Sequence, residues 1–241
     1  MLTHTILSIY STINSGAFLA IISVILLFSL YLISSKEISL PGKPRVVNST
    51  VNQVLWQRFN GVFFLGIIPM AIVMYYFDSP LAAMGLNFDE RYFTLGYTAG
   101  IGILLIFLSR NNALKQKEKS LYPQIKVPRW TPLLIGVNFI SWGLYLFAYE
   151  FLFRGFLLFL LVSHFPIWLS ILINTILYSL AHVHKNKQEI LGSIPFGIVL
   201  CLITLQTGNF ITAFLLHLIL ATSSDAFALI YSKTTKVKST D

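Results

Sequence analysis

The sequence predicts an all-α fold, a polytopic bundle of helices crossing a lipid bilayer, and three observations predict it. Of 241 residues, 56% are hydrophobic and 11% charged, with a mean hydropathy of +0.75; a soluble domain carries about a quarter charged residues. The charges are segregated, because residues 59–77, 92–109, 130–149 and 155–184 hold no Asp, Glu, Lys or Arg, and between 190 and 232 the only one is Asp225. No strand-like alternation is visible, and backbone groups in hydrocarbon must bond within their own segment, which leaves helices.

Each uncharged run of about 18 or more residues reads as one span, since about 20 residues at ~1.5 Å per residue cross the hydrocarbon. The chain opens without a basic stretch before its apolar run, so 17–34 reads as a permanent span and not as a cleaved signal. Spans at 59–77 and 92–109 follow. Segment 131–162 fits one tilted or broken helix, extending ~48 Å at helical rise. Spans at 167–184, 190–206 and 209–231 complete seven; an eight-span count, with 131–162 crossing twice, is the alternative. Pro69 and Pro195 are expected to kink their helices, and Gly96, Gly100, Gly192 and Gly197 to mark close helix approach.

Charge in the loops gives orientation. Residues 35–58 hold Lys36, Lys43, Arg45 and Arg58 against Glu37, and residues 110–129 hold six basic residues against Glu118. Both loops are expected inside the cell, with the acidic 78–91 loop outside. A single crossing by 131–162 then also brings Lys185, Lys187 and the tail lysines Lys233, Lys236 and Lys238 inside. The expectation is N-terminus outside and C-terminus cytoplasmic. The chain divides into scaffold helices at 1–114, a basic linker at 115–129, helices carrying the chemistry at 130–232 and a basic tail at 233–241. The net charge of +8 lies beside apolar spans, as expected for anionic lipid contact and not for nucleic acid. A single cysteine, Cys201, excludes an internal disulfide and a cysteine-based zinc cluster. It reads as packing.

Ionisable residues inside the spans carry the functional argument. Glu150 and Arg154 stand four apart on one helix face, acid before base, the favoured order; burying either alone in lipid costs several kcal/mol, so a mutual pair facing the bundle interior is expected. Such a pair serves either to fix helix packing or to handle a substrate. Asn174, Tyr178 and His182 recur at intervals of four as a polar ladder, and a neutral imidazole is suited to moving a proton. His182 equally fits an interfacial hydrogen bond. His217 lies mid-span, with Ala221, Ser224 and Asp225 on or near its face, and needs a partner from another helix: Glu150, Tyr178 or a water. His164 and His184 are expected at solvent or the interface.

The ordered trio Tyr149-Glu150-x-x-x-Arg154, Tyr178-x-x-x-His182 and His217-x-x-x-Ala221 resembles the CPBP family, the CAAX protease and bacteriocin-processing (Abi) group of intramembrane endopeptidases. Met84-Gly85-Leu86, Arg154-Gly155-Phe156-Leu157 and Thr207-Gly208-Asn209 are similar to its surrounding sequence, and the likeness covers about 80–231. The family's first motif begins with two glutamates, the leading one of which is Tyr149 here; the polar residue four after the last histidine is Ala221. The resemblance implies a hydrolase cleaving a membrane-bound peptide or protein in a bacterial plasma membrane, with Glu150, Arg154, His182 and His217 as catalytic residues. Glu150 would be general base unless Arg154 holds it as an anchor. His182 would handle the water and His217 the oxyanion, with hydroxyls of Tyr149 and Tyr178 as auxiliaries. No cofactor is implied; zinc on two histidines and a glutamate is the competing mechanism, without a His-Glu-x-x-His motif to support it. A non-catalytic scaffold or bacteriocin-immunity protein is the alternative function, and a proton-coupled carrier a third, for which no inverted repeat is visible.

Overall fold

The computed structural model describes residues 2–35, 50–116, 122–183, 185, 187–231 and 236–237. The charges at Lys36, Lys43, Arg45, Lys117, Lys119, Lys233 and Lys238, and the imidazole of His184, lie outside the described residues.

Helix α1 spans Leu2–Ser34. A capping box starts α2, Val51–Tyr75: the Thr50 hydroxyl accepts from the Gln53 amide and the Gln53 side chain accepts from the Thr50 amide, satisfying two of the donors that a helix start leaves open. This helix starts before the expected 59, so Arg58 is a buried helical residue and not a loop charge. A π turn at Phe63–Ile67 precedes Pro69, where a regular turn would set the proline ring against the carbonyl four residues back. A short 3₁₀ turn at Leu81–Met84 leads to α3, Arg91–Gln116.

Thr131 caps and Pro132 opens the central helix α4, Pro132–Val162. It is one 31-residue element, extending about 46 Å at helical rise, and not two short crossings. A π turn at Phe151–Leu157 widens its middle. Helix α5, Ile167–Leu180, has 14 residues and rises about 21 Å, less than the ~30 Å hydrocarbon thickness. Helices α6, Lys187–Thr207, and α7, Ile211–Tyr231, are joined through Gly208, whose φ of 62° suits a residue without Cβ. The Asn209 side chain then accepts from the Ile211 and Thr212 amides. A two-residue strand, β1 at Arg129–Trp130, pairs in parallel with β2 at Lys236–Val237. Six helices are long and apolar enough to cross a membrane, and α5 is the shorter apolar one. The chain is a polytopic membrane helix bundle.

Burial explains where charge is tolerated. Every residue of α4 from 148 to 158 is buried, so this stretch has no lipid face, whereas Ile103, Leu104, Phe107 and Leu108 of α3 are exposed to the surroundings as lipid-facing side chains are. Of the glycines expected at close approaches, Gly197 fits, since a Cβ there would stand 3.0 Å from Tyr178. Gly96, Gly100 and Gly192 face open space and mark no contact.

Candidate active site

The π turn is the local feature that builds the site. It begins at the residue after Glu150 and contains Arg154, and insertions of this kind are frequent at functional sites. Its widened turn is supported from α5, where Asn174 Nδ2 donates to the Phe153 carbonyl at 2.6 Å. Cys201 of α6 in turn donates its thiol to Asn174 Oδ1 at 3.2 Å. Cys201 is therefore a buried hydrogen-bond donor as well as a packing residue.

Glu150 and Arg154 are wholly buried and paired, Nη1 to Oε2 at 3.0 Å. The other carboxylate oxygen, Oε1, takes Nδ1 of His217 at 2.5 Å, so the partner His217 needed from another helix is Glu150. Arg154 also lies over the Tyr178 ring, 4.0 Å to its centre, and reaches the Gly197 carbonyl at 3.5 Å. The lack of a Cβ on Gly197 is what admits both Tyr178 and the guanidinium.

His182 sits just past the end of α5, its Nδ1 2.8 Å from the Tyr178 carbonyl and 3.5 Å from the Tyr149 hydroxyl. A carbonyl and a carboxylate oxygen can only accept, so Nδ1–H is the donor in both His182 and His217, and Nε2 carries the lone pair of each neutral ring. Tyr149 lies between the two histidines, with ring centres 6.2 Å from His182 and 5.8 Å from His217, both edge-on. Tyr178 contacts the same pair at 4.7 and 6.5 Å. Glu150, Arg154, His182, His217, Tyr149 and Tyr178 thus form one buried polar layer.

Three residues stand elsewhere. Asp225 shares a helix stripe with His217 but is part of a second layer two turns along α7, where it accepts from Asn138 Nδ2 at 2.9 Å, Trp142 Nε1 at 2.8 Å and the Gln124 amide at 3.4 Å. Arg58 completes that layer through Asn138, Ser141 and Gln124. His164 is bonded to Ser163 and the Leu160 carbonyl, away from the site. The second layer escaped the sequence reading because Arg58 counts there as a loop charge; its signal is Asn138 and Trp142, four apart on a helix face.

Among the described residues, no three His, Cys, Asp or Glu side chains are grouped to hold a metal. Glu150 has each oxygen already engaged, one by a cation and one by an imidazole N–H, a donor set that does not suit a zinc ligand.

Residues 128–223 match the family model described as type II CAAX prenyl endopeptidase, Rce1-like. No curated protein and no solved structure matches the chain. The matched segment contains all three motifs and the whole buried polar layer. Through residues 128–223 the chain belongs to the CPBP family, the CAAX protease group.

Proposed function

We propose that this protein is an intramembrane endopeptidase that hydrolyses a peptide bond of a membrane-bound peptide or protein. The observation that supports it most is the bridging of Glu150 between Arg154 and His217, with Tyr149 and His182 alongside. A carboxylate engaged at both oxygens is an anchor and not a free base. Glu150 therefore holds the His217 ring in one tautomer, as the acid of a catalytic triad does for its histidine. That leaves His182 Nε2 to take the proton from a water as its oxygen attacks the scissile carbonyl carbon. His217, protonated at Nε2, donates to the resulting oxyanion. The C–N bond then breaks, and the proton held by His182 goes to the leaving amine. One oxyanion donor is worth about 3 kcal/mol of barrier, so Ala221 in place of a polar residue slows such a reaction without removing its basis. The Tyr149 hydroxyl, beside both rings, is placed to orient the water.

The loop charges place the N-terminus outside and the C-terminus in the cytoplasm, in a bacterial plasma membrane. The substitutions Tyr149 and Ala221 are what favours the second reading, a non-catalytic scaffold or bacteriocin-immunity protein. The two separate by mutation: in folded, inserted protein, Glu150→Gln and His182→Ala each abolish cleavage of a membrane-bound substrate if the site is catalytic. Cleavage that survives both substitutions refutes the peptidase. A scaffold keeps its partner binding in both variants.

A further inference from the structure

The polar layer is closed. Glu150 is wholly buried, the His217 side chain is 12% exposed and His182 only 6%. A peptide bond cannot reach these groups unless some element moves. Toward the linker end, α5 stops at Leu180, level with the layer, and provides no wall beyond it.

Residues 122–127 of the linker fill that side. Tyr122 packs against the cluster of Trp142, Leu146 and Ala221. Leu146 and Ala221 each lie four residues, one helical turn, from Glu150 and His217, so Tyr122 is seated one layer away from the chemistry. Burial pushes its phenol well above the usual range, and the charges of Glu189 and Asp225 add to that shift; Tyr122 therefore reaches from α4 and α7 toward the start of α6. Gln124 ties the segment to the second polar layer, accepting from Arg58 Nη2 at 3.0 Å and donating its amide to Asp225 at 3.4 Å. The second contact is at the long limit for such a bond. Ile125 packs with Val54 and Trp130. The segment thus touches the mouth of the layer through one aromatic ring, held by one polar residue and one aliphatic one, whereas the other walls are whole helices.

We infer that residues 122–127 are a displaceable strap closing the polar layer, and that Tyr122 occupies the path by which a substrate peptide reaches it. The identity of what passes rests on the peptidase reading; the closure itself does not. Tyr122 is then a specificity-determining residue, since only a segment able to displace its ring gains access.

The closure is tested without substrate by placing a thiol under the ring. Ala221→Cys, in detergent-solubilised full-length protein, is labelled with a water-soluble maleimide, with the parent chain as blank because its only cysteine, Cys201, is wholly buried. Labelling of a covered thiol follows the population of the opened state, so Tyr122→Ala is expected to raise the rate on the order of tenfold or more. Tyr122→Phe, which keeps the ring, leaves it near the Ala221→Cys value. Gln124→Ala releases the tie without touching the ring and also raises labelling, which keeps the test valid if Tyr122→Ala fails to fold. Equal labelling in the Ala221→Cys protein and in the folded Tyr122→Ala or Gln124→Ala variant overturns the strap, as does full reactivity at Ala221→Cys alone. A rise in labelling with no cleavage by any variant leaves the strap standing and counts against the peptidase.

Discussion

Glu150→Gln is the perturbation whose cost the structure specifies most closely. The carboxylate serves two donors, Arg154 at Oε2 and His217 Nδ1 at Oε1. A glutamine offers one acceptor and one N–H group, so whichever way the amide turns, one contact becomes donor against donor. Arg154 would remain wholly buried with the Gly197 carbonyl at 3.5 Å and the Tyr178 ring as its remaining contacts, and a desolvated cation–π contact supplies about 2 kcal/mol. Removing one partner of a buried ion pair costs about 3–5 kcal/mol, a large share of a typical stability of about 5–15 kcal/mol. The double substitution Glu150→Gln, Arg154→Met removes the orphaned charge and should recover at least about 2 kcal/mol of that loss. Equilibrium unfolding in mixed micelles of increasing SDS content, followed by tryptophan fluorescence, measures all three variants. A single-mutant loss below about 1 kcal/mol, or a double mutant as unstable as the sum of the two singles, refutes the pairing argument.

Other outcomes follow from the same contacts. Tyr149→Phe removes a hydroxyl 3.5 Å from His182 but keeps the ring between the histidines, so stability should change by less than about 1 kcal/mol, and any loss in cleavage rate reports the hydroxyl; an unchanged rate shows it has no part. Asn174→Ala deprives the Phe153 carbonyl of its donor and Cys201 of its acceptor and should cost about 1–3 kcal/mol in the same unfolding assay. Tyr122 binds its proton more tightly folded than unfolded, so its seating is undisturbed below the usual phenol range near pH 10 and weakens as pH rises beyond it. An ultraviolet titration of wild type minus Tyr122→Phe should show its phenolate appearing later than those of exposed Tyr75 and Tyr92; simultaneous titration contradicts its burial.

The helices were legible because lipid leaves no freedom: long uncharged runs have one stable form, and the single crossing by α4 followed from the charges on either side of it. Boundaries were less legible where tertiary contacts override local signals. Arg58 reads as a loop charge until Asn138, Ser141 and Gln124 supply its acceptors, and only then can α2 begin at Val51. The Glu150–Arg154 pair is written in its spacing, but the Glu150–His217 bond spans 67 residues of sequence and no local pattern specifies it. The ordered motifs brought those residues into one expectation. The strap was invisible, because Tyr122 and Gln124 lie in a polar segment whose burial depends wholly on helices elsewhere in the chain.

The two polar layers differ in a way that separates chemistry from architecture. Around Asp225, the carboxylate accepts three donors, and Arg58 is spread over four acceptors and a tryptophan face. Such saturation fixes helices and loop together and leaves the carboxylate no part in proton transfer. Around Glu150 the saturation stops at the carboxylate: the fixed groups are its two oxygens and both Nδ1 atoms, and what they orient are the Nε2 atoms of two histidines on either side of Tyr149. An ion pair needed only for packing would require no histidine on its second oxygen. The tyrosine that replaces the family's leading glutamate contributes a neutral hydroxyl at a place where a second carboxylate would stand beside Glu150. A site of this composition runs on imidazole, with its one acid as support, and its cleavage activity should depend more steeply on His182 than on any hydroxyl around it.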